Sequence, residues 1–339
     1  MTARLFNISD ISKFRQELMG LGIIGVLLSH LVSVGEFDTN NVLVQVLLIF
    51  KQLVYTQGFL FLSGFGLFFS MTKNADYLSF IKRRVNRLYI PFLVMTLPFF
   101  VFQVVVRSES IWCLLGRLTT VSFWIEGNYS GMWYVAISVL LYLLFPLYYK
   151  VVFANNHDEK MVIKIAWGGV ILSILAHYLF RVTPYYEMVE IGVAKIPAFF
   201  IGPIFAFLLM KNNKRLTRMS NIHMALVLVV WLALSLWLHD TEGRSIILKF
   251  VFIPLSCVVI RCLYGIKSLS RLNVLLKWFG MYSLEIYVLH LLILKTPELL
   301  PFLDARGQII VSILFALIVC TPYSYLLKKI TRHFVSFNQ

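Results

Sequence analysis

The chain has 339 residues, 59% of them hydrophobic and only 14% charged, with a mean hydropathy of +0.81. No water-soluble core of this size could hide so much apolar side chain, so the composition excludes a soluble globular protein and leaves one that crosses a membrane several times. A net charge of +15 would point to nucleic acid in a soluble protein. In a membrane protein it reads first as Lys and Arg gathered on cytoplasmic loops, and no nucleic-acid partner is expected.

The N-terminal stretch MTARLFNISDISKFRQE carries mixed charge and runs straight into apolar residues without a small-residue cleavage site. No removed signal peptide is expected. A bilayer core of about 30 Å takes roughly 20 apolar residues as a helix, and nothing alternates as barrel strands do. Apolar runs of helical length fall at Leu18–Val34, Leu53–Met71, Leu88–Val106, Gly131–Phe153, Met161–Phe180, Ile196–Met210, Ile222–Leu238, Ile246–Tyr264, Phe279–Leu294 and Gln308–Leu327. The expected fold is an all-α membrane protein, ten transmembrane helices in a single bundle, with one domain covering residues 1–339. Of the Lys and Arg residues, 22 fall on the side of the N-terminus and 8 on the other, with Lys51 embedded at the start of the second span. That bias predicts an N-in, C-in orientation. The cysteines, Cys113, Cys257, Cys262 and Cys320, have neither CxxC spacing nor a nearby His at ligand spacing, so no metal site and no disulfide framework is expected.

Ionisable groups inside a membrane cost several kcal/mol and mark functional positions unless packing explains them. His30 lies about twelve residues, roughly 18 Å, above the inner end of its helix. His290 in the ninth span falls at a similar height and His177 in the fifth somewhat higher, so three imidazoles can approach one layer. Glu285 sits lower than His290 and, five residues away, does not share its face closely. Lys51 has two readings: it snorkels to outer headgroups, or it serves an acceptor site or an oxyanion. Trp133 and Tyr134, at the outer start of the fourth span, either join an aromatic belt or stack on a sugar. The run KRRVNR, Lys82 to Arg87, places four cations in six residues ahead of the third span. Either it anchors a cytoplasmic helix end, or it holds an anion.

Five stretches, LMGLGIIGVLLSH (18–30), GFLFLSGFGLFFS (58–70), FIKRRVNRLYIPF (80–92), GMWYVAISVLLYLLFPLYY (131–149) and FGMYSLEIYVLHLLIL (279–294), occur in the order seen in the membrane-bound acyltransferase type 3 family. The chain resembles that family over nearly its whole length. The resemblance implies an integral O-acyltransferase of the cell membrane, the bacterial inner or plasma membrane. Such enzymes move an acetyl or other acyl group from a coenzyme A thioester to a hydroxyl of a saccharide or lipid-linked sugar. Acyl-CoA is then a substrate, with no cofactor bound permanently. The family's first-helix histidine falls on His30, its Arg-x-x-Arg pair on Arg84 and Arg87, its Ser-Gly-Phe on Ser63, Gly64 and Phe65, and its terminal IYLxH-like element on Ile286 to His290. Many members carry an Arg eleven residues ahead of the histidine; here that position is Met19. Arg15, one helical turn earlier on the same face, is a substitute guanidinium.

CoA phosphates call for Arg, whose planar fork binds phosphate oxygens through paired charge-assisted bonds. Arg84 and Arg87, three apart at a helix start, would share a face near free N–H groups, with Arg83 and Arg15 alongside. A sugar hydroxyl needs a base: His30 either removes its proton or carries the acyl group first. Glu285 or His290 would orient or assist the imidazole, and Ser63 belongs with the donor site or the oxyanion. Because the arginines lie at the inner face and His30 in the outer half, the pantetheine arm would have to thread between helices. The rival is a transporter or flippase of a lipid-linked glycan without acyl transfer, which would show matching interruptions in two halves of the chain. None is visible.

Overall fold

The computed structural model describes residues 6–34, 41–45, 56–127, 132–155, 157–211, 226, 229–230, 252–266 and 270–336. Among these, all regular structure is helical. Asn7 opens a short helix α1 (Ile8–Lys13) by a reciprocal cap: its Oδ1 accepts the Ser9 N–H at 3.0 Å, and its own N–H donates to Asp10 Oδ2 at 2.8 Å. Phe14 then turns the chain into α2 (Arg15–Val34), followed by α3 (Gln57–Lys73). The next helix starts at Tyr77, capped by Asp76, whose Oδ2 takes the Ser79 N–H at 2.7 Å. It runs as α4 (Tyr77–Arg84), widens into one π turn (Val85–Tyr89) and continues as α5 (Ile90–Val106). Pro91 accounts for the wide turn. It has no N–H to give the carbonyl four residues back and its ring crowds that carbonyl. The turn relieves this, with the Ile90 N–H reaching back five residues to Val85 O.

Two short helices, α6 (Ile111–Leu118) and α7 (Val121–Glu126), precede α8 (Trp133–Val152) and α9 (Glu159–Phe180). Then come α10 (Pro184–Val193), α11 (Ile196–Met210), α12 (Phe252–Gly265), α13 (Ser270–Met281), α14 (Ser283–Leu294) and α15 (Ala305–Ser336). Six helical segments among the described residues are long and apolar enough to cross a membrane: Arg15–Val34, Tyr77–Val106, Trp133–Val152, Glu159–Phe180, Pro184–Met210 and Ala305–Leu326. α13 and α14 make a seventh if counted as one broken span, bent by 66°.

The expected run Phe279–Leu294 is therefore not one straight helix. It breaks at Tyr282, and α13 extends the element back to Ser270. The expected span Ile222–Leu238 falls almost wholly outside the described residues, Ile246–Tyr264 is described from residue 252, and Leu53–Met71 from residue 56. The third span begins eleven residues before the expected Leu88, because Asp76 rather than the arginine run caps it.

Two glycine crossings bring four of the helices close. A methyl on Gly20 of α2 would strike the backbone carbonyl of Leu276, and one on Gly280 of α13 the carbonyl of Gln16. Likewise a methyl on Gly64 of α3 would strike Phe199 O, and one on Gly202 of α11 would strike Phe61 O. Without a hydrophobic force between helices in lipid, such close backbone approach and the dispersion contacts around it hold a bundle together. At the α1 end, Arg261 Nη2 donates to both oxygens of the buried Asp10 at 2.6 Å. Buried Glu17 accepts from Tyr264 Oη at 2.6 Å and has Lys277 Nζ at 3.7 Å. At the other end, Arg107 is paired with Glu298 and Arg117 with Glu109. A buried carboxylate stripped of its cation would be strongly destabilising, so Asp10 pins the N-terminal turn to α12.

Candidate functional site

A cavity of about 360 Å³ opens between α2, α3, the π turn, α8 and the α13–α14 break. α2 contributes Arg15, Met19 and Val26, α3 contributes Phe59 and Ser63, and the α4–π segment contributes Arg84 and Arg87. Trp133, Tyr134 and Tyr142 come from α8, and Ser283, Glu285 and Tyr287 from α14. Residues 15 to 26 span about 16 Å of helix axis at ~1.5 Å per residue, so the cavity is elongated along α2.

Three guanidinium groups mark one end. Arg84 Nη2 donates to Ser70 Oγ at 2.7 Å, and its guanidinium lies 5.2 Å from the centre of the Phe80 ring. Arg84 Nε is buried without a hydrogen-bond partner. Arg15 packs over Gly66, where a Cβ would stand 2.9 Å from its Nη2, and its Nε is likewise buried and unpartnered. Arg87, on the π turn, is exposed. Buried donors without partners are costly unless something accepts from them, and here two belong to arginines that face a cavity. Met19 lines the same wall as Arg15, as the one-turn spacing predicted. The expectation that Arg84 and Arg87 sit at a helix start, beside free N–H groups, is corrected: the helix begins at Tyr77, its N-terminus is occupied by Asp76, and Arg84 directly precedes a wide turn in its interior that contains Arg87. The two Ser79 hydrogen bonds, side chain and backbone, hold the Asp76 carboxyl below the usual range. Arg83 does not face the cavity; its Nη2 donates to Asn74 O at 3.3 Å.

Ser63 Oγ and Tyr142 Oη lie 2.8 Å apart in the cavity lining. Trp133 is buried, only 6% exposed, with the Lys195 ammonium 4.5 Å from its ring centre, which is not the environment of an interfacial belt. Ser324 Oγ donates to Glu285 Oε1 at 3.4 Å.

Aromatic rings close the far end. Phe59 and Tyr134 have centroids 5.8 Å apart, Tyr134 and Tyr287 5.6 Å, and Tyr287 and His290 6.0 Å. Past this layer His30 of α2 meets His290 of α14, their ring centroids 5.3 Å apart. His290 is fully buried, and its Nδ1 lies 2.8 Å from Ile286 O. A carbonyl only accepts, so Nδ1 carries the proton and Nε2 is left as a lone-pair acceptor, buried and without a partner. This backbone bond sets the His290 tautomer. His177 does not join a three-imidazole layer: Tyr186 Oη lies 3.1 Å from its Nδ1 and 3.2 Å from its Nε2. Neither His30 nor His290 lines the cavity, so the expected continuous passage from Arg84 and Arg87 to His30 is interrupted by Tyr134 and Tyr287. Lys51 lies outside the described residues.

Of the expected site residues, Arg15, Ser63, Arg84, Arg87, Trp133 and Glu285 share the cavity, and His30 and His290 share the layer beyond it. Sequence reasoning gave Tyr134 only a belt or stacking role and assigned none to Tyr142 or Tyr287. Tyr287 lies in the quoted stretch containing His290, three residues before it, which places it about one turn away and is the signal that could have found it.

A bundle of apolar helices with several membrane crossings defines a multi-pass membrane protein, and its buried basic cavity is suited to an anionic substrate. The acyltransferase 3 family, described as acyltransferase domain, matches residues 18–329, so the chain belongs to that family and is a membrane acyltransferase. No curated protein and no solved structure matches it.

Proposed function

We propose that the protein transfers an acetyl or other acyl group from cytoplasmic acyl-CoA to a hydroxyl of an extracytoplasmic or membrane-linked saccharide. The observation that carries this reading is the elongated cavity with Arg15, Arg84 and Arg87 at one end and the His30–His290 pair just past the other. The guanidinium groups grip the CoA phosphates, and the pantetheine arm lies along Ser63, Tyr142 and Trp133. Opening of the Tyr134–Tyr287 layer lets the thioester reach the histidines. His30 takes the proton of the acceptor hydroxyl as its oxygen attacks the thioester carbonyl; the carbon–sulfur bond breaks, the thiolate takes up that proton, and an ester and free CoA result. A general base is worth about 10²–10⁴ in rate. In the reacting arrangement a turn of the His30 ring gives its N–H to the His290 Nε2 lone pair, which has no partner in this structure, and so positions the base.

The ten-span, N-in and C-in arrangement in one domain belongs to the same reading. It is supported by the ion pairs, which join residues assigned to one side: Asp10 with Arg261 and Glu17 with Lys277 inside, Arg107 with Glu298 and Arg117 with Glu109 outside. The test is purified protein in proteoliposomes with [14C]acetyl-CoA and a saccharide extract: an alkali-labile ester forms, and His30→Ala abolishes it while CoA binding persists. Full activity in His30→Ala removes the assignment.

A further inference from the structure

A second cavity, of 210 Å³, lies beyond the histidine layer. Its polar wall is Gln103, Arg107, Arg117, Glu126 and Lys295. Its inner wall is Phe100, Met132 and Leu292. Met132 directly precedes Trp133 of the first cavity. On α14, Tyr287 lines the first cavity, Leu292 lines the second, and His290 falls between them. The histidine pair is therefore flanked by a cavity on either side.

The charges identify what the second cavity takes. Glu298 closes the Arg107 fork, with Nε to Oε1 at 2.7 Å and Nη2 to Oε2 at 3.0 Å. Glu109 pairs with Arg117 through one hydrogen bond, Nη2 to Oε1 at 2.9 Å, with Nη1 held in ion-pair contact 2.6 Å from Oε2. Lys295 and Glu126 add one charge of each sign to the wall, so, counting the two carboxylates that pair the arginines from just outside it, three positive groups stand with three negative ones. A phosphate or uronate would find its guanidinium partners already occupied. Hydroxyl groups need donors and acceptors side by side, which the Lys295 ammonium on one hand and the Glu126 carboxylate and Gln103 carbonyl on the other supply, the Gln103 NH2 group being taken by Lys295 O and Thr296 Oγ1. At ~30 Å³ per water, 210 Å³ corresponds to about seven waters, the scale of one sugar ring.

We infer that this second cavity is the acceptor's entrance and holds one neutral sugar residue, with a hydroxyl turned to His30 and His290 from the side opposite the donor. The inference rests on the acyl-transfer reading given above.

The test uses right-side-out vesicles carrying the full chain, loaded with [14C]acetyl-CoA and treated outside with a membrane-impermeant trimethylammonium methanethiosulfonate. In Glu126→Cys, and in Lys295→Cys should the first variant not accumulate, complete modification lowers 14C transfer to vesicle glycan at least tenfold. [3H]CoA binding by the solubilised modified protein stays unchanged, and the untouched sequence shows no loss under the same treatment. Undiminished transfer after complete modification, or no modification from outside, overturns the acceptor entrance and leaves the acyltransferase reading standing. Label recovered on a phosphorylated or carboxylated sugar overturns the neutral-ligand assignment. If the untouched protein neither transfers 14C nor binds CoA, the acyl-transfer reading fails and the entrance fails with it.

Discussion

Arg84 offers the sharpest test of the donor grip, because it lines the cavity and its buried Nε has no partner. Removing the guanidinium in Arg84→Ala deletes a charge-assisted bond to phosphate, worth about 1.5–3 kcal/mol. Since 1.4 kcal/mol is tenfold, KM for acetyl-CoA should rise roughly 10- to 150-fold with kcat within a few-fold of the original. Arg84→Lys keeps the charge and loses the planar fork, and should fall between the two. The same side chain also donates to Ser70 Oγ and stacks on Phe80, so a structural role has to be separated from a binding one. Ser70→Ala removes that internal partner and should leave KM within about threefold while lowering Tm, the net value of one such bond being roughly 1.5 kcal/mol. Initial rates against [14C]acetyl-CoA in proteoliposomes, with Tm measured on the same preparations, make the comparison. An unchanged KM in Arg84→Ala, with or without a lower Tm, refutes the phosphate grip.

The other predictions concern the walls. Gly66→Ala puts a methyl against the Arg15 guanidinium, a flexible group that can retreat, so Tm should change by little while KM for acetyl-CoA rises severalfold; unaltered kinetics would detach Arg15 from donor binding. Gly280→Ala instead drives a methyl into the Gln16 carbonyl, which cannot step aside, and should cost about 1–3 kcal/mol in stability by thermal or denaturant unfolding in detergent. Arg107 holds the Glu298 carboxyl below its usual range, chiefly by hydrogen bonding. A depressed carboxylate stabilises above its unfolded pKa of about 4.3 and loses that contribution as pH falls through the lower folded value. Glu298→Gln should therefore cost at most about 1 kcal/mol at pH 7, since the pair is partly solvated, and the difference from the natural sequence should close below about pH 4. A cost that grows on acidification would contradict this pairing.

What the sequence made legible was local. Arg15 and Met19 lie one turn apart on an apolar helix, and both reach the cavity wall as that spacing requires. His30 and His290 were matched by height, and their rings do meet. The break at Tyr282 was not visible, because no proline marks it and FGMYSLEIY reads as an unbroken apolar run; the crossing of Gly20 with Gly280 belongs to two segments far apart in the chain. The π turn did leave a trace in Pro91, but whether a proline kinks, ends or widens a helix depends on neighbours that spacing does not reveal. Nor could one sequence show that Glu298 and Glu109 would pair with Arg107 and Arg117 and so offset the arginines of the second cavity.

The ring layer formed by Phe59, Tyr134 and Tyr287 also has an electrical side. Two hollows joined end to end would form a pore, and a membrane that holds a proton gradient is discharged by a standing leak through one. The rings keep the voltage drop across a thin, dry septum. Trimming them to alanine would be expected to make host cells sensitive to uncoupling before it made them poor at catalysis.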